Sequence, residues 1–212
     1  MTSDVPRERP IIFSGPEVVS ILDGRKTQTR RVITTPIWHV DRELDDDGWP
    51  VFEDQDMPST WLRLPCPHGA VGNRLWVRET WQDWCPIWDG HWCGCGSQEM
   101  REKTHRPAYR ATIDERGEPL RWRPSIHMPR WASRILLEIT DVRVQRLQEI
   151  SCADAIAEGV RPAANSLTID CDTPDPRKEF SSIWDSVNGK RPNTAWASNP
   201  FCWATTFRRL KP

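Results

Sequence analysis

The run from Ser133 to Leu147 constrains this chain more than any other segment. Ile135, Leu137, Ile139, Val142, Val144 and Leu147 approximate an alternation of apolar and polar residues, with one slip near Asp141. A period of two puts one face of a strand against a core and the other towards water. So long a strand leaves its backbone polar groups unpaired unless neighbours flank it, so the chain must build a sheet. The slip predicts a bend or bulge near Asp141, where one extra residue would change the faces.

Shorter signals surround this strand. Ile11-Ile12-Phe13 reads as a strand, and Val18, Val19, Ile21 and Leu22 as a short helix with Pro16 early and Gly24 as its stop. Thr27 to Ile33 is extended, with β-prone Thr and Val. Gly72-Asn73 is a turn before the strand Arg74 to Glu79, and Ala108 to Ile113 is a further strand with a turn at Glu115 to Glu118. Ser151 with Asp154 resembles a capping box, starting a helix that runs to Glu158 and stops at Gly159. A helix from Pro176 to Val187 carries Phe180, Ile183, Trp184 and Val187 on one face, and Phe201 to Phe207 is a final strand.

Short helices among mostly antiparallel strands predict an α+β fold, a small barrel formed by a single domain over 1–212. Two stretches interrupt it. Residues 36–68 are acidic, with Asp45-Asp46-Asp47-Gly48 and Glu53 to Asp56, and read as a surface insertion containing a small hairpin at Asp47-Gly48. Residues 82–107 form a second insertion rich in Trp and Cys. Trp122 to Trp131, punctuated by Pro124 and Pro129, is a loop.

Charge is balanced, 29 basic residues against 30 acidic, which argues against indiscriminate polyanion binding, so any nucleic-acid contact must come from a local patch. Residues 1–10 carry no export or presequence pattern, and no apolar run approaches membrane-spanning length. Seven cysteines, an odd number, suit a reduced cytoplasm better than a paired secreted framework. The 13 tryptophans are expected mainly in core and pocket walls, with a minority available to stack on bases.

Gly24-Arg25-Lys26-Thr27-Gln28-Thr29-Arg30-Arg31 concentrates cations and hydroxyl or amide groups after a helix stop. On a strand, Lys26, Gln28 and Arg30 face one way and Thr27, Thr29 and Arg31 the other, although the turn at Gly24 could bring Lys26 and Thr29 together. On composition alone a solvated basic edge strand explains the segment as well.

Gly24, Lys26 and Arg31 match the Gly-x-Lys-x-x-x-x-Arg signature, and Gly72 to Glu79 is similar to the Gly-Asp-x-Leu strand, of ASCH domains, with Asn73 in place of the acid. The chain thus resembles the ASCH family, a PUA-like β-barrel group. Its loop Arg123 to Pro129 is similar to that of the larger phage- and prophage-borne members. The resemblance implies a cleft for RNA or a modified base. In some small members the cleft removes an acyl group from the exocyclic nitrogen of cytidine, using a Lys and a Thr of the signature and a Glu of the later short helix. Position by position these are Lys26, Thr29 and Glu158, with no cofactor. Thr29 would be the nucleophile, Lys26 its base once freed of a proton, and Glu158 the acid or the group orienting the base edge. Glu158 also suits an ordinary surface position before Gly159.

Glu79 is a second candidate acid, or else a member of an ion pair with Arg78 or another strand neighbour. Arg31, Arg123, His127, Arg130 and Trp131 are candidate phosphate and stacking contacts. The alternative for the last four is a loop packed over the barrel end. Cys85, His91, Cys93 and Cys95 could hold a structural zinc, with Cys66 and His68 as a further pair upstream. Cys93-x-Cys95 is not the usual knuckle, however, and buried or free thiols explain these residues too. The partner is expected to be a nucleoside or nucleic acid, RNA before DNA. The activity is amide hydrolysis on an N4-acylated cytosine, with non-catalytic RNA or modified-base binding and ribonuclease action as alternatives.

Overall fold

The computed structural model describes residues 6–34, 40–44, 50–53, 61–84, 106–112, 122–161 and 175–210. The fold is mixed α+β. Strand β1 (Glu8–Ile12) leads into helix α1 (Gly15–Leu22), where the Ser14 N–H and hydroxyl both donate to Glu17 Oε2 at 2.8 Å. Gly24, at φ 75°, ends the helix in a conformation that a β-carbon disfavours. Strand β2 (Gln28–Val32) follows. The acidic stretch contributes β3 (Val40–Leu44), β4 (Pro50–Glu53) and β5 (Trp61–Arg63), a three-stranded antiparallel sheet. Strands β3 and β4 pair on either side of Asp47-Gly48, where a small hairpin was expected and which lies outside the described residues, and the third strand was not expected.

Strand β6 (Arg74–Arg78) is followed by β7 (Trp81–Trp84) and β8 (Arg106–Tyr109), which pair with each other across the second insertion. The strand expected over 108–113 is thus shorter and earlier. After Tyr109 the chain turns, and the Arg110 N–H donates to Thr80 O. The loop before β9 forms two 3-10 turns, Ser125–His127 and Arg130–Ala132. Strand β9 (Leu136–Arg146), helix α2 (Cys152–Ala157), helix α3 (Pro176–Asn188) and strand β10 (Phe201–Leu210) complete the chain. Among the described residues no helix is long and apolar enough to cross a membrane.

The main sheet has the order β1-β6-β9-β10-β2, with β1 and β6 parallel and the other pairs antiparallel. Strand β9 lies at its centre, as its length requires. Its slip is a bulge: Thr206 pairs with Asp141 but Phe207 with Ile139, leaving Thr140 extra. Among the described residues the strands do not close into a barrel, because β1 and β2 each pair on one side only. Arg31 Nη2 of β2 donates to the carbonyl of Ile12 in β1 at 2.7 Å, so the two edges lie within one arginine's reach. A side chain spans the gap that a ladder would fill in a closed barrel.

Two apolar clusters pack against this sheet. One joins Val18 and Ile21 of α1 to Leu75, Leu137, Ile139 and Phe207. The other joins Ala155 and Val160 to Leu147, Phe180, Trp184 and Cys202. The face expected on α3 divides: Phe180 and Trp184 are buried, while Ile183 and Val187 stay exposed. Helix α3 has more apolar surface than the core covers.

Candidate functional site

Two helix ends meet at Lys26. The Lys26 N–H donates to Ser20 O of α1, and the next N–H, of Thr27, donates to Ala157 O of α2. The turn after α2 needs Gly159, at φ 99°. A β-carbon there would stand 3.3 Å from the β-carbons of both Lys26 and Ser20. The ammonium is therefore carried inward. Lys26 Nζ donates to the Glu158 carbonyl at 2.8 Å and to Glu158 Oε2 at 2.9 Å, and Glu17 Oε1 lies 3.6 Å away. Glu158 O is one of the carbonyls that a helix C-terminus leaves unpaired, so Lys26 also caps α2. The Phe13 ring lies beneath both Lys26 and Arg31, at 5.7 and 5.5 Å from its centroid.

The alternation read along β2 holds for the residues facing α2. Gln28 Nε2 donates to Asp154 Oδ1 at 3.1 Å. Arg30, wholly buried, pairs with Glu158 Oε1 at 3.0 Å and Asp154 Oδ2 at 3.1 Å, and it also donates to Gln28. The Glu158 carboxylate thus divides its two oxygens between two cations. Arg30 Nε is buried without a hydrogen-bond partner among the described residues.

Local charge sets the ionisation of the flanking acids. Burial pushes the Glu17 carboxyl up, but Lys26, the Ser14 donors and Arg31 together outweigh it and hold it below its ordinary value. Asp154 follows the same balance, with burial overcome by Arg30, Gln28, Arg143 and the Ser151 N–H. Behind them, burial raises the Cys202 thiol to about 12, so it stays protonated. On the far side of Arg31, burial and the cations Arg31 and Arg9 lower His68 to about 4.

Lys26, Thr29, Arg31 and Glu158 line one cleft of about 350 Å³, between α1, β2, the end of α2 and α3. That volume suits a small ligand of nucleoside dimensions. Thr29 is buried within the β2–β10 pairing, opposite Thr205, and among the described residues its hydroxyl makes no side-chain hydrogen bond. The four residues come from the α1–β2 turn, β2 and the C-cap of α2. The opposite wall is α3, with Phe180, Ile183, Trp184 and Val187.

The remaining expected residues lie elsewhere. Glu79 is not among the residues lining the cleft. It is buried in a two-pronged pair with Arg134, Nε to Oε1 and Nη2 to Oε2 both at 2.9 Å, so it is the ion-pair member that the alternative reading foresaw, with a different arginine. Arg123 lies over the Trp81 ring at 5.5 Å, and Trp131 meets the same ring edge-on at 5.8 Å. Arg130 Nε is paired with Glu8 at 2.8 Å, and His127 is exposed in its 3-10 turn. Arg123 and Trp131 thus pack on Trp81, and none of the four residues lines the cleft. Cys85, His91, Cys93 and Cys95 lie outside the described residues. Among the described residues no three His, Cys, Asp or Glu side chains could hold a metal ion. Cys66 is buried beside Trp203.

Sequence reading missed Glu17, Asp154, Ile183 and Val187 as parts of the site or its support. Glu17 and Asp154 carried a signal, being acids in the first turns of helices that flank the basic segment. Comparison with protein-family models, with curated proteins and with solved structures finds no match to this chain.

Proposed function

We propose that this cleft binds an acylated nucleobase and hydrolyses its exocyclic amide, as in an N4-acylated cytosine, and that the chain is an ASCH-type protein of PUA-like fold. One observation carries the reading. Lys26 and Thr29, from one short segment, and Glu158, 132 residues further on, line a single cleft, with Lys26 Nζ 2.9 Å from Glu158 Oε2.

The proton inventory of that pair fits the chemistry. Moving one proton from the ammonium to the carboxylate creates an amine and a carboxylic acid in one step, without net charge change. The amine then accepts the Thr29 hydroxyl proton as Oγ1 attacks the amide carbon. The acid protonates the departing exocyclic nitrogen as the C–N bond breaks. Water then cleaves the acyl–Thr29 ester, releasing a carboxylic acid and restoring the hydroxyl. Arg30 holds Oε1 of Glu158, which leaves Oε2, facing Lys26, as the oxygen that takes the proton.

The surroundings of Lys26 favour a second reading. Its Nζ faces three oxygen acceptors, which suit an ammonium with three donors and no lone pair. A permanently charged Lys26 would hold a base or phosphate without catalysis, and the cleft would serve as an RNA or modified-base binding module. Incubating the protein with N4-acetylcytidine and following cytidine release by chromatography separates the two. Release that is lost in both Lys26→Ala and Thr29→Ala supports hydrolysis, and no release from the wild type defeats it. Salt-sensitive RNA retention that is lost in Arg31→Ala would then favour binding, and RNA shortening would favour a nuclease.

A further inference from the structure

The wall of the cleft formed by α3 carries an exposed aliphatic patch. Ile183 is 47% and Val187 64% exposed, although they share a helix face with Phe180 and Trp184, which are buried. Several donors of this wall are engaged within the fold, although Ser186 and Asn188 also line the cleft. Trp184 Nε1 donates to Thr194 O at 2.8 Å, Ser186 Oγ to Ile183 O at 2.7 Å, and Asn188 Nδ2 to Trp184 O at 3.4 Å. Across the gap stand Lys26, Glu17, Arg31 and Thr29. The cleft is therefore two-sided, with charge on one wall and on the other an exposed aliphatic patch of Ile183 and Val187 beside Ser186 and Asn188.

A ligand that fills such a cleft must itself be two-sided. A nucleobase edge or a ribose laid against Ile183 and Val187 would lose water without gaining partners, because those side chains carry no donor or acceptor. Against the β2 wall both would find donors and acceptors. The part of an acylated base that suits α3 is the acyl chain. We propose that Ile183 and Val187 select the acyl group, and that the ligand is a base bearing a branched-aliphatic or aromatic acyl chain, not a short acetyl. This rests on the hydrolytic reading above for the position of the amide, beside Thr29 and Lys26.

The wall makes a graded demand. Each methylene moved from water onto α3 improves binding by about fourfold, so selectivity climbs with acyl size until the cleft is full. The test uses the whole chain with N4-acetyl-, N4-isobutyryl- and N4-benzoylcytidine, measuring kcat/KM for release of cytidine. The same ligands, with cytidine, are titrated calorimetrically. The expected result is a rise of about tenfold or more in kcat/KM from acetyl to benzoyl, and a matching tightening of Kd. In the Ile183→Thr/Val187→Thr double variant the benzoyl-to-acetyl ratio falls towards one; both positions are exposed and threonine keeps the β-branch. A flat or declining series in the wild type overturns the proposal, and so does a double variant that keeps the gradient. Absence of turnover with Kd values that still tighten with acyl size defeats the hydrolytic reading and upholds the acyl wall. Ligands that bind no better than cytidine overturn the acyl wall whether or not they are hydrolysed.

Discussion

Glu79 and Glu158 are both carboxylates taken almost wholly out of water, and arginine holds both. Glu79 gives its two oxygens to one guanidinium, that of Arg134, which also lies over the Tyr109 ring at 4.0 Å. Nothing in that pairing is left to offer a ligand. Glu158 divides its oxygens between Arg30 and Lys26, and Lys26 in turn reaches towards Glu17. A cleft opens beside this second cluster, and the first lines none of it. Burial and pairing alone therefore do not mark a site; competition among several charges beside an open volume does.

The most severe way to test this contrast is to remove the nucleophile. Thr29→Val, nearly isosteric, is expected to lower turnover of an N4-acylcytidine by about a thousandfold or more, read as cytidine release. Glu79→Gln should change the same rate by less than about threefold. A comparable loss in both variants would erase the distinction between the clusters.

Stability should respond in the opposite order. Arg134→Ala strands a buried carboxylate and is expected to cost about 3–5 kcal/mol in urea unfolding. The double variant Glu79→Met/Arg134→Met, which removes both charges, should recover most of that loss. If the double variant is no more stable than Arg134→Ala, the pair is not the reason for the cost.

Acid should report on the surroundings of Arg31. His68 beside Arg31 has its folded value lowered from 6.5 to about 4, so the folded state resists a proton that the unfolded chain accepts. The sign follows: stability is complete above about pH 6.5, declines as pH falls towards 4, and levels off below, with a total of up to about 3 kcal/mol. Glu17 and Asp154 have lowered values, so their contribution is lost only at lower pH, below the ordinary carboxylate range. Unfolding free energies at pH 5 and 7 should differ in the wild type and much less in His68→Gln; equal slopes would refute the assignment.

The smallest change concerns Gly159. Gly159→Ala forces a β-carbon into a φ of 99° and against Lys26, and should cost about 1–3 kcal/mol while lowering turnover. Lost stability with unchanged turnover would mean that the turn supports the fold without positioning Lys26.

Much of the local structure was legible because it depends on near neighbours. The slip near Asp141 became a bulge at Thr140, Gly24 and Gly159 ended their helices, and Gln28 and Arg30 of β2, with Lys26 in the turn before it, all reach the acids of α2 and its C-cap. The shared face of Phe180, Ile183, Trp184 and Val187 on α3 was legible, but not that only Phe180 and Trp184 are covered, since periodicity records a stripe and not what covers it. Glu79 was legible as an acid on a strand end, but its partner Arg134 lies 55 residues away, and spacing carries no trace of that pairing.

The sequence by itself determined the α+β class, the central strand, the helix stops and the concentration of cations after Gly24, because backbone preference and side-chain period act over a few residues. Only the tertiary structure decided that Lys26, Thr29 and Glu158 share a cleft, that Glu79 does not line it, and that Ile183 and Val187 face it. Those outcomes depend on how far the sheet curls and where two helix ends meet, which are set by the packing of the whole chain.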